Sequence, residues 1–257
     1  MKKWLIVFLF AHAISYSQTP VHVNAHAHND YEHRRPLFDA LENGFISIEA
    51  DVYLIDGKLL VSHDHPGADA KTLESLYIIP LDSIRKANGG WIYPAHTIPL
   101  LIMIDIKSNA EATFKAILKV LSMYEACFNT PTRQGPIQLF ISGNRPISLI
   151  RSDPKHLSAI DGRPEDLGKG FSSDVMPVVS ENYKKIMKWN GNGSPSKEDL
   201  SNLKALAVKV HGENKKLRLW GIPDNENTWQ ILLDAGVDLI NTDKLRELNL
   251  FLTGKKI

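Results

Sequence analysis

Phe45-Ile46-Ser47-Ile48-Glu49-Ala50-Asp51-Val52, followed by Asp56-Gly57-Lys58-Leu59-Leu60-Val61-Ser62-His63-Asp64, is the stretch on which the fold turns. Its first part is a short apolar run of strand length that ends in two acidic residues. Glu49 and Asp51 stand two apart, so on a strand both point to the same face. Asp56-Gly57 is a tight-turn dipeptide, and the second apolar run must fold back as a hairpin. That hairpin carries His63 and Asp64 back over the end of the first strand.

Working outward, seven more short apolar runs recur, at 21–26, 100–106, 137–141, 157–160, 176–179, 217–222 and 237–241. Amphipathic helical patterns lie between many of them, at 36–43, 111–124, 181–189, 197–210 and 228–235, while the helices after the fourth and fifth strands are poorly marked. Strand–helix alternation predicts an α/β fold with a parallel sheet, and eight repeats predict a closed (β/α)8 TIM barrel. The length of 257 residues suits one such barrel, which takes about 250. The loop at 190–195 reads as a surface connection, because the alternation resumes after it, and residues 18–257 are expected to form a single domain.

Composition narrows the function classes. With 43% hydrophobic and 23% charged residues the chain is ordinarily globular, and a net charge of +1 gives no field to steer it to nucleic acid. Residues 1–17 read as a signal peptide: a basic head, an apolar run at 4–13, and small residues at Ser15 and Ser17 before a cut at Gln18. The run is shorter than the roughly 20 apolar residues that span a bilayer, so the expectation is export to the periplasm or medium with no stable membrane anchor. Cys127 is the only cysteine, which rules out an internal disulfide and reads as a small buried hydrophobe.

In a barrel the active site gathers at the carboxyl ends of the strands. There the sequence places His26, His28, Asn29 and Asp30 after the first strand, Glu49 and Asp51 on the second, and His63 after the hairpin. Asp105 and Lys107 follow on the third, Ser142-Gly143-Asn144 on the fourth, Arg163 after the fifth, and Trp220 and Asp243 at the last two. Neighbouring carboxylates repel unless something neutralises them, and Glu49, Asp51 and Asp105 form an oxygen set suited to one hard divalent cation, Ca²⁺ or Mg²⁺. The competing reading pairs Glu49 and Asp51 with Lys107 or an arginine. Histidine titrates near neutral pH, so His26 and His63 are candidate acid–base groups; His28 faces the same way as His26 and is a third candidate. Arg163 either binds phosphate or is the solvated arginine of a glycine turn. Asn29 is a candidate for substrate contact; His96, His156 and His211 read as surface or loop residues.

The block from Gly44 to Val52, with Asp56-Gly57 and Val61-Ser62-His63-Asp64, resembles the core signature of the glycerophosphodiester phosphodiesterase family, within the phosphatidylinositol-phospholipase-C-like barrel superfamily. Ile102 to Lys107 resembles its third motif, and Leu219 to Ile222 and Gly236 to Asp243 resemble its last two strands. The resemblance spans about residues 21–245. It implies metal binding by Glu49, Asp51 and Asp105, acid–base chemistry by His26 and His63, a phosphate contact from Lys107, and a leaving-group pocket lined by Trp220. The family's His-Arg-Gly and Pro-Glu-Asn-Thr stretches are missing, so the chain looks like a divergent bacterial branch. Arg34 or Arg35 is the candidate replacement for the arginine. The expected activity is metal-dependent phosphodiester hydrolysis on a small glycerophosphodiester or phospholipid head group, by a monomer. Two alternatives compete. The first is a zinc amidohydrolase-like or PHP-like hydrolase, which shares the His-x-His start but needs histidines on later strands. The second is a non-catalytic secreted binding barrel.

Overall fold

The computed structural model describes residues 20–94 and 96–255, so the expected leader at 1–17 lies outside the described residues. The elements in chain order are β1 (His22–Ala27), α1 (Phe38–Glu42), β2 (Phe45–Ile55), β3 (Lys58–Val61), α2 (Ile79–Ala87), β4 (Leu100–Ile106), α3 (Ala110–Leu121), β5 (Ile137–Gly143) and α4 (Ile147–Ser152). There follow β6 (Ala159–Gly162), β7 (Val178–Asn182), α5 (Tyr183–Ile186), α6 (Lys197–His211), β8 (Lys216–Trp220), α7 (Glu226–Asp234), β9 (Leu239–Thr242) and α8 (Leu245–Leu252). Eight strands run parallel in the order β1-β9-β8-β7-β6-β5-β4-β2, and β1 pairs with β2 to close the barrel. The (β/α)8 expectation holds, with all eight predicted strands present. β3 is the antiparallel arm of the hairpin, its turn made by Asp56 (φ 48°) and Gly57 (φ 75°). Two successive left-handed residues match the twist of the strands they join.

The differences from the predicted elements have local causes. The pattern at 181–189 is helical only as the short α5, because β7 continues to Asn182 and the residues after Ile186 leave the helix. α2 was not anticipated; Pro80 interrupts its pattern but sits in the first turn, where a missing N–H costs nothing. The weak marking after the fifth strand is explained by a single 3-10 turn, Pro164–Asp166, in place of a helix.

The barrel has two interiors. Leu101, Met103, Phe140, Ala159, Val178 and Leu239 fill the lower part with a small apolar cluster, separate from the larger core between strands and helices. Two residues further along each strand the same inward face becomes polar: Asp105 follows Met103, Ser142 follows Phe140, Asp161 follows Ala159, Ser180 follows Val178 and Asn241 follows Leu239. Strand register aligns these residues, with Asp51 opposite Asp105, Asp105 opposite Ser142 and Ser180 opposite Arg218. Period-2 alternation therefore delivers a ring of polar side chains at one end of an otherwise apolar barrel.

Candidate active site

A cleft of about 460 Å³ opens at the carboxyl ends of the strands. Of the residues expected at the site, His28, Asn29, Glu49, His63, Asp105, Lys107, Arg163 and Trp220 line it, together with Ser142. Asp51 lies in the wall beneath them and is fully buried. Asn144 turns away, donating to the Ser108 carbonyl at 2.8 Å. Arg34 and Arg35 do not line the cleft, which corrects the proposed replacement for the missing arginine. Arg35 is tied on the surface to Asp39 and Glu42 at the start of the α1 region. His211 pairs with Asp238 on the surface, and the buried Cys127 donates its thiol to Asp82.

Glu49, Asp51 and Asp105 bring one oxygen each to within 4.8 Å of the others. Lys107 bridges Asp51 Oδ2 and Asp105 Oδ1, each at 3.1 Å, so part of the competing reading, a lysine partner, is also present. The ammonium does not complete the site. Asp51 Oδ1 is buried with no partner, and burial, aided by Glu49, raises the Asp51 pKa. Burial likewise pushes Asp105 up to about 6, against the pull of Lys107. These carboxylates are short of positive charge, and a hard divalent cation fits an all-oxygen donor set of this kind. Among the described residues no histidine or cysteine joins that set, so its donors are carboxylate oxygens. Gly143 makes room for it: a Cβ there would stand 2.2 Å from Asp105 Oδ1, and its φ of +65° favours glycine in any case.

The two strand-one histidines have different environments. His26 is fully buried, with Nδ1 on Ser47 Oγ at 2.7 Å and Nε2 on Glu49 Oε2 at 3.1 Å. Burial and then Arg218 lower its pKa to about 4, so it is a neutral ring with both nitrogens engaged. His28 stands on the cleft wall, its Nδ1 held by Asp243 Oδ1 at 2.7 Å. Burial opposes its charged form, yet the Asp243 hydrogen bond and Glu49 raise its pKa. His63, on the hairpin, has its Nδ1 held by Asp51 Oδ2 at 3.1 Å. His28 and His63 thus each use Nδ1 to contact a carboxylate, and the structure brings His28 rather than His26 to the cleft.

Some site residues were missed by the sequence reading. Arg218 lies on the barrel axis side of β8, nearly inaccessible, donating Nη2 to Glu49 Oε2 (2.7 Å) and Asn241 Oδ1 (2.5 Å). Burial alone would raise the Glu49 pKa; Arg218 and His26 overcome it and hold the carboxyl at about 2. The signal was present in Leu217-Arg218-Leu219, a charge inside an apolar strand run. Tyr31 donates to Asp51 Oδ2 at 2.9 Å, and the loop carrying it is fixed by Asp30, which accepts from Leu37 N–H (2.5 Å) and Tyr77 Oη (2.9 Å). Asp161 accepts from Ser142 (2.8 Å), Ser180 (2.6 Å) and Arg163 (2.6 Å), so Arg163 is folded back onto a carboxylate.

A closed parallel barrel with histidines, a carboxylate trio and a lysine at one rim defines a barrel of the phosphodiesterase type. Comparison with known proteins agrees: a model of the glycerophosphoryl diester phosphodiesterase family matches residues 216–246. The fold is that of a glycerophosphodiester phosphodiesterase from Parabacteroides distasonis, at a TM-score of 0.61 and 17% identity, covering 91% of this chain and 98% of that one. A second such enzyme, from Agrobacterium tumefaciens, superposes at a TM-score of 0.51 with 13% identity, over 91% of this chain and 100% of that one. The AIM6-like phosphodiesterase domain matches residues 14–159, more than half of the chain, and the chain belongs to that family. It is 30% identical to Altered inheritance of mitochondria protein 6 of Eremothecium gossypii, over 90% of this chain and 70% of that protein. The Arthroderma benhamiae homologue is 27% identical over 87% of this chain and 82% of its own length.

These relatives correct the expectation of export. The leader reading implied a periplasmic or secreted protein, whereas the matched relatives are fungal proteins named Altered inheritance of mitochondria protein 6, and export is not carried forward.

The Arg218–Glu49 pair yields a first prediction. Arg218→Met leaves a buried carboxylate without its guanidinium and is expected to cost about 3–5 kcal/mol of stability in urea unfolding, with Arg218→Lys costing less. A loss under about 1 kcal/mol, the scale of a surface pair, would show that Glu49 does not depend on Arg218.

Proposed function

We propose that the protein is a metal-dependent phosphodiester hydrolase acting on a glycerophosphodiester or a phospholipid head-group phosphodiester, with His28 and His63 as its acid–base pair. One observation carries the reading: two imidazoles on one cleft, each with Nδ1 on a carboxylate, stand beside three carboxylates and a lysine. A carboxylate on Nδ1 fixes the tautomer and leaves Nε2 as the working nitrogen. The assignment revises the pair read from sequence, His26 and His63, because both nitrogens of His26 are already engaged. His26 becomes a positioning residue that helps hold Glu49.

Glu49, Asp51 and Asp105 would hold the cation, which supplies charge for the phosphoryl oxygens and acidity to an attacking hydroxyl. Lys107 and Asn29 face the same space and contact the phosphate. In a substrate with a hydroxyl beside the phosphate, His63 Nε2 takes the proton of that hydroxyl as its oxygen bonds to phosphorus. The bond from phosphorus to the leaving oxygen breaks, and His28, whose charged form Asp243 favours, gives that oxygen its proton. The products are the free alcohol and a cyclic phosphate. Water then opens the ring with the two histidines in exchanged roles. Binding energy and preorganised charge supply most of the barrier reduction, with each histidine contributing roughly 10²–10⁴-fold.

On bis(p-nitrophenyl) phosphate, His28→Ala and His63→Ala are each expected to lower kcat/KM by at least about 10²-fold. His26→Ala is expected to act mainly through metal affinity, recovering at high Ca²⁺ or Mg²⁺. An inactive His26→Ala beside an active His28→Ala would reverse the assignment.

Excess chelator is expected to abolish hydrolysis, and Ca²⁺ or Mg²⁺ to restore it. Undiminished turnover in chelator would exclude a role for the carboxylate trio as a metal site.

Asp243 raises the His28 pKa, so Asp243→Asn leaves only Glu49 to oppose burial and the pKa falls. The acid form is then lost at lower pH, and the alkaline limb of kcat/KM should move to lower pH. A limb that stays in place would mean that His28 is not the proton donor.

A further inference from the structure

The loop between β1 and α1 is where the chain departs from the sequence signature it otherwise resembles. Its backbone is constrained near both ends, with Asn29 (φ 44°) and Leu37 (φ 68°) at positive φ without being glycine. Such conformations persist only where the surroundings over-determine them. Here the buried Asp30 closes the loop from within: its Oδ2 accepts from the Leu37 N–H at 2.5 Å and from Tyr77 Oη at 2.9 Å. His28 and Asn29, just before this anchor, line the cleft. Tyr31, just after it, does not. Its ring packs against the core, and its hydroxyl reaches the wall beneath the cleft, 2.9 Å from Asp51 Oδ2.

Three donors converge on that one oxygen: Tyr31 Oη at 2.9 Å, and His63 Nδ1 and Lys107 Nζ at 3.1 Å each. The other oxygen, Oδ1, is buried and has no partner. A carboxylate spreads about four acceptor positions over its two oxygens, so three donors on one and none on the other is a strongly uneven division. Glu49 is engaged in a similar way, with Arg218 Nη2 and His26 Nε2 both on Oε2. The three donors on Asp51 are not equivalent. Lys107 also contacts Asp105 and lines the cleft, and His63 stands on the hairpin with its side chain 54% exposed. Both meet the substrate in the reaction above and adjust to it. Tyr31 has no substrate to meet, and its contact with Asp51 is the one that stays in place.

We propose, resting on the metal-dependent reading above, that Tyr31 is a positioning residue for the cation: by holding Asp51 Oδ2 it fixes the rotation of the carboxyl group and reserves Oδ1 for the metal. Packing accounts for the ring of Tyr31 but not for its hydroxyl, which the Asp30 anchor places through the loop. Groups that orient a metal ligand from behind typically govern metal affinity by about 10–100-fold.

Tyr31→Phe keeps the ring and removes only the hydroxyl. Calorimetric titration of Mg²⁺ and of Ca²⁺ into the metal-stripped full chain is expected to give a Kd about 10–100-fold higher for this variant than for the wild type. In chelator the two proteins should unfold at closely similar urea concentrations, and at saturating cation kcat on bis(p-nitrophenyl) phosphate should be largely retained. Tyr77→Phe removes one of the two bonds that anchor the loop at Asp30. It should weaken cation binding in the same direction but by less, and it carries the test if Tyr31→Phe does not fold. A lower urea midpoint with an unchanged Kd marks a merely structural tyrosine and overturns the inference. An unchanged Kd in Tyr31→Phe, or in Tyr77→Phe where that variant carries the test, overturns it while leaving the metal-dependent reading intact. A wild-type chain that binds neither cation overturns both.

Discussion

A carboxylate inside a protein must be neutralised, and this barrel buries several within one layer. Glu49, Asp51, Asp105 and Asp161 all sit at the upper end of its interior. Much of the surrounding architecture answers that constraint. Arg218 crosses from β8 to Glu49, Lys107 bridges Asp51 and Asp105, and Arg163 with two serines closes on Asp161. What remains is local: a buried Asp51 oxygen without a partner and two carboxyls with raised pKa values. The shortage of positive charge is confined to the point where a cation and a phosphoryl group would meet.

The barrel separates stability from chemistry along its axis. The lower interior is closed by Met103, Phe140, Val178 and Leu239, and a separate, larger core lies between the strands and the helices. Function is then carried two residues further along the same strands, where inward positions no longer contribute to the apolar core. The loops can be strained there without cost to the core. Asn29 in the left-handed region and Leu37 at φ 68° shape the segment that carries Tyr31 to Asp51, and Asp30 pins it from within.

Charge matching also explains why the two sides of the cleft differ. On the β1–β4 side the carboxylates outnumber their cations and the histidines are oriented by acids. On the β5–β8 side Arg145, Arg163 and Lys185 each have a carboxylate partner. The first arrangement leaves a demand for positive charge unmet; the second is matched within itself.

Much of this was legible in the sequence. Strand–helix alternation and eight repeated apolar runs determine the barrel, because parallel strands covered on both faces read as short, nearly continuous apolar runs. Glu49-x-Asp51 determines two carboxylates on one face, and Asp56-Gly57 determines the hairpin that returns His63. Tertiary structure alone decided which strand-one histidine reaches the cleft. His26 and His28 have the same parity, and the difference lies in what surrounds each: Ser47 and Glu49 enclose one, Asp243 orients the other at the rim. It also decided the partner of Glu49, since Arg218 lies 169 residues away in sequence and meets it only where the barrel brings β8 round toward β2. Local sequence carries periodicity and turn chemistry, but the compensation of a buried charge is a long-range contact, and only the closed barrel specifies it.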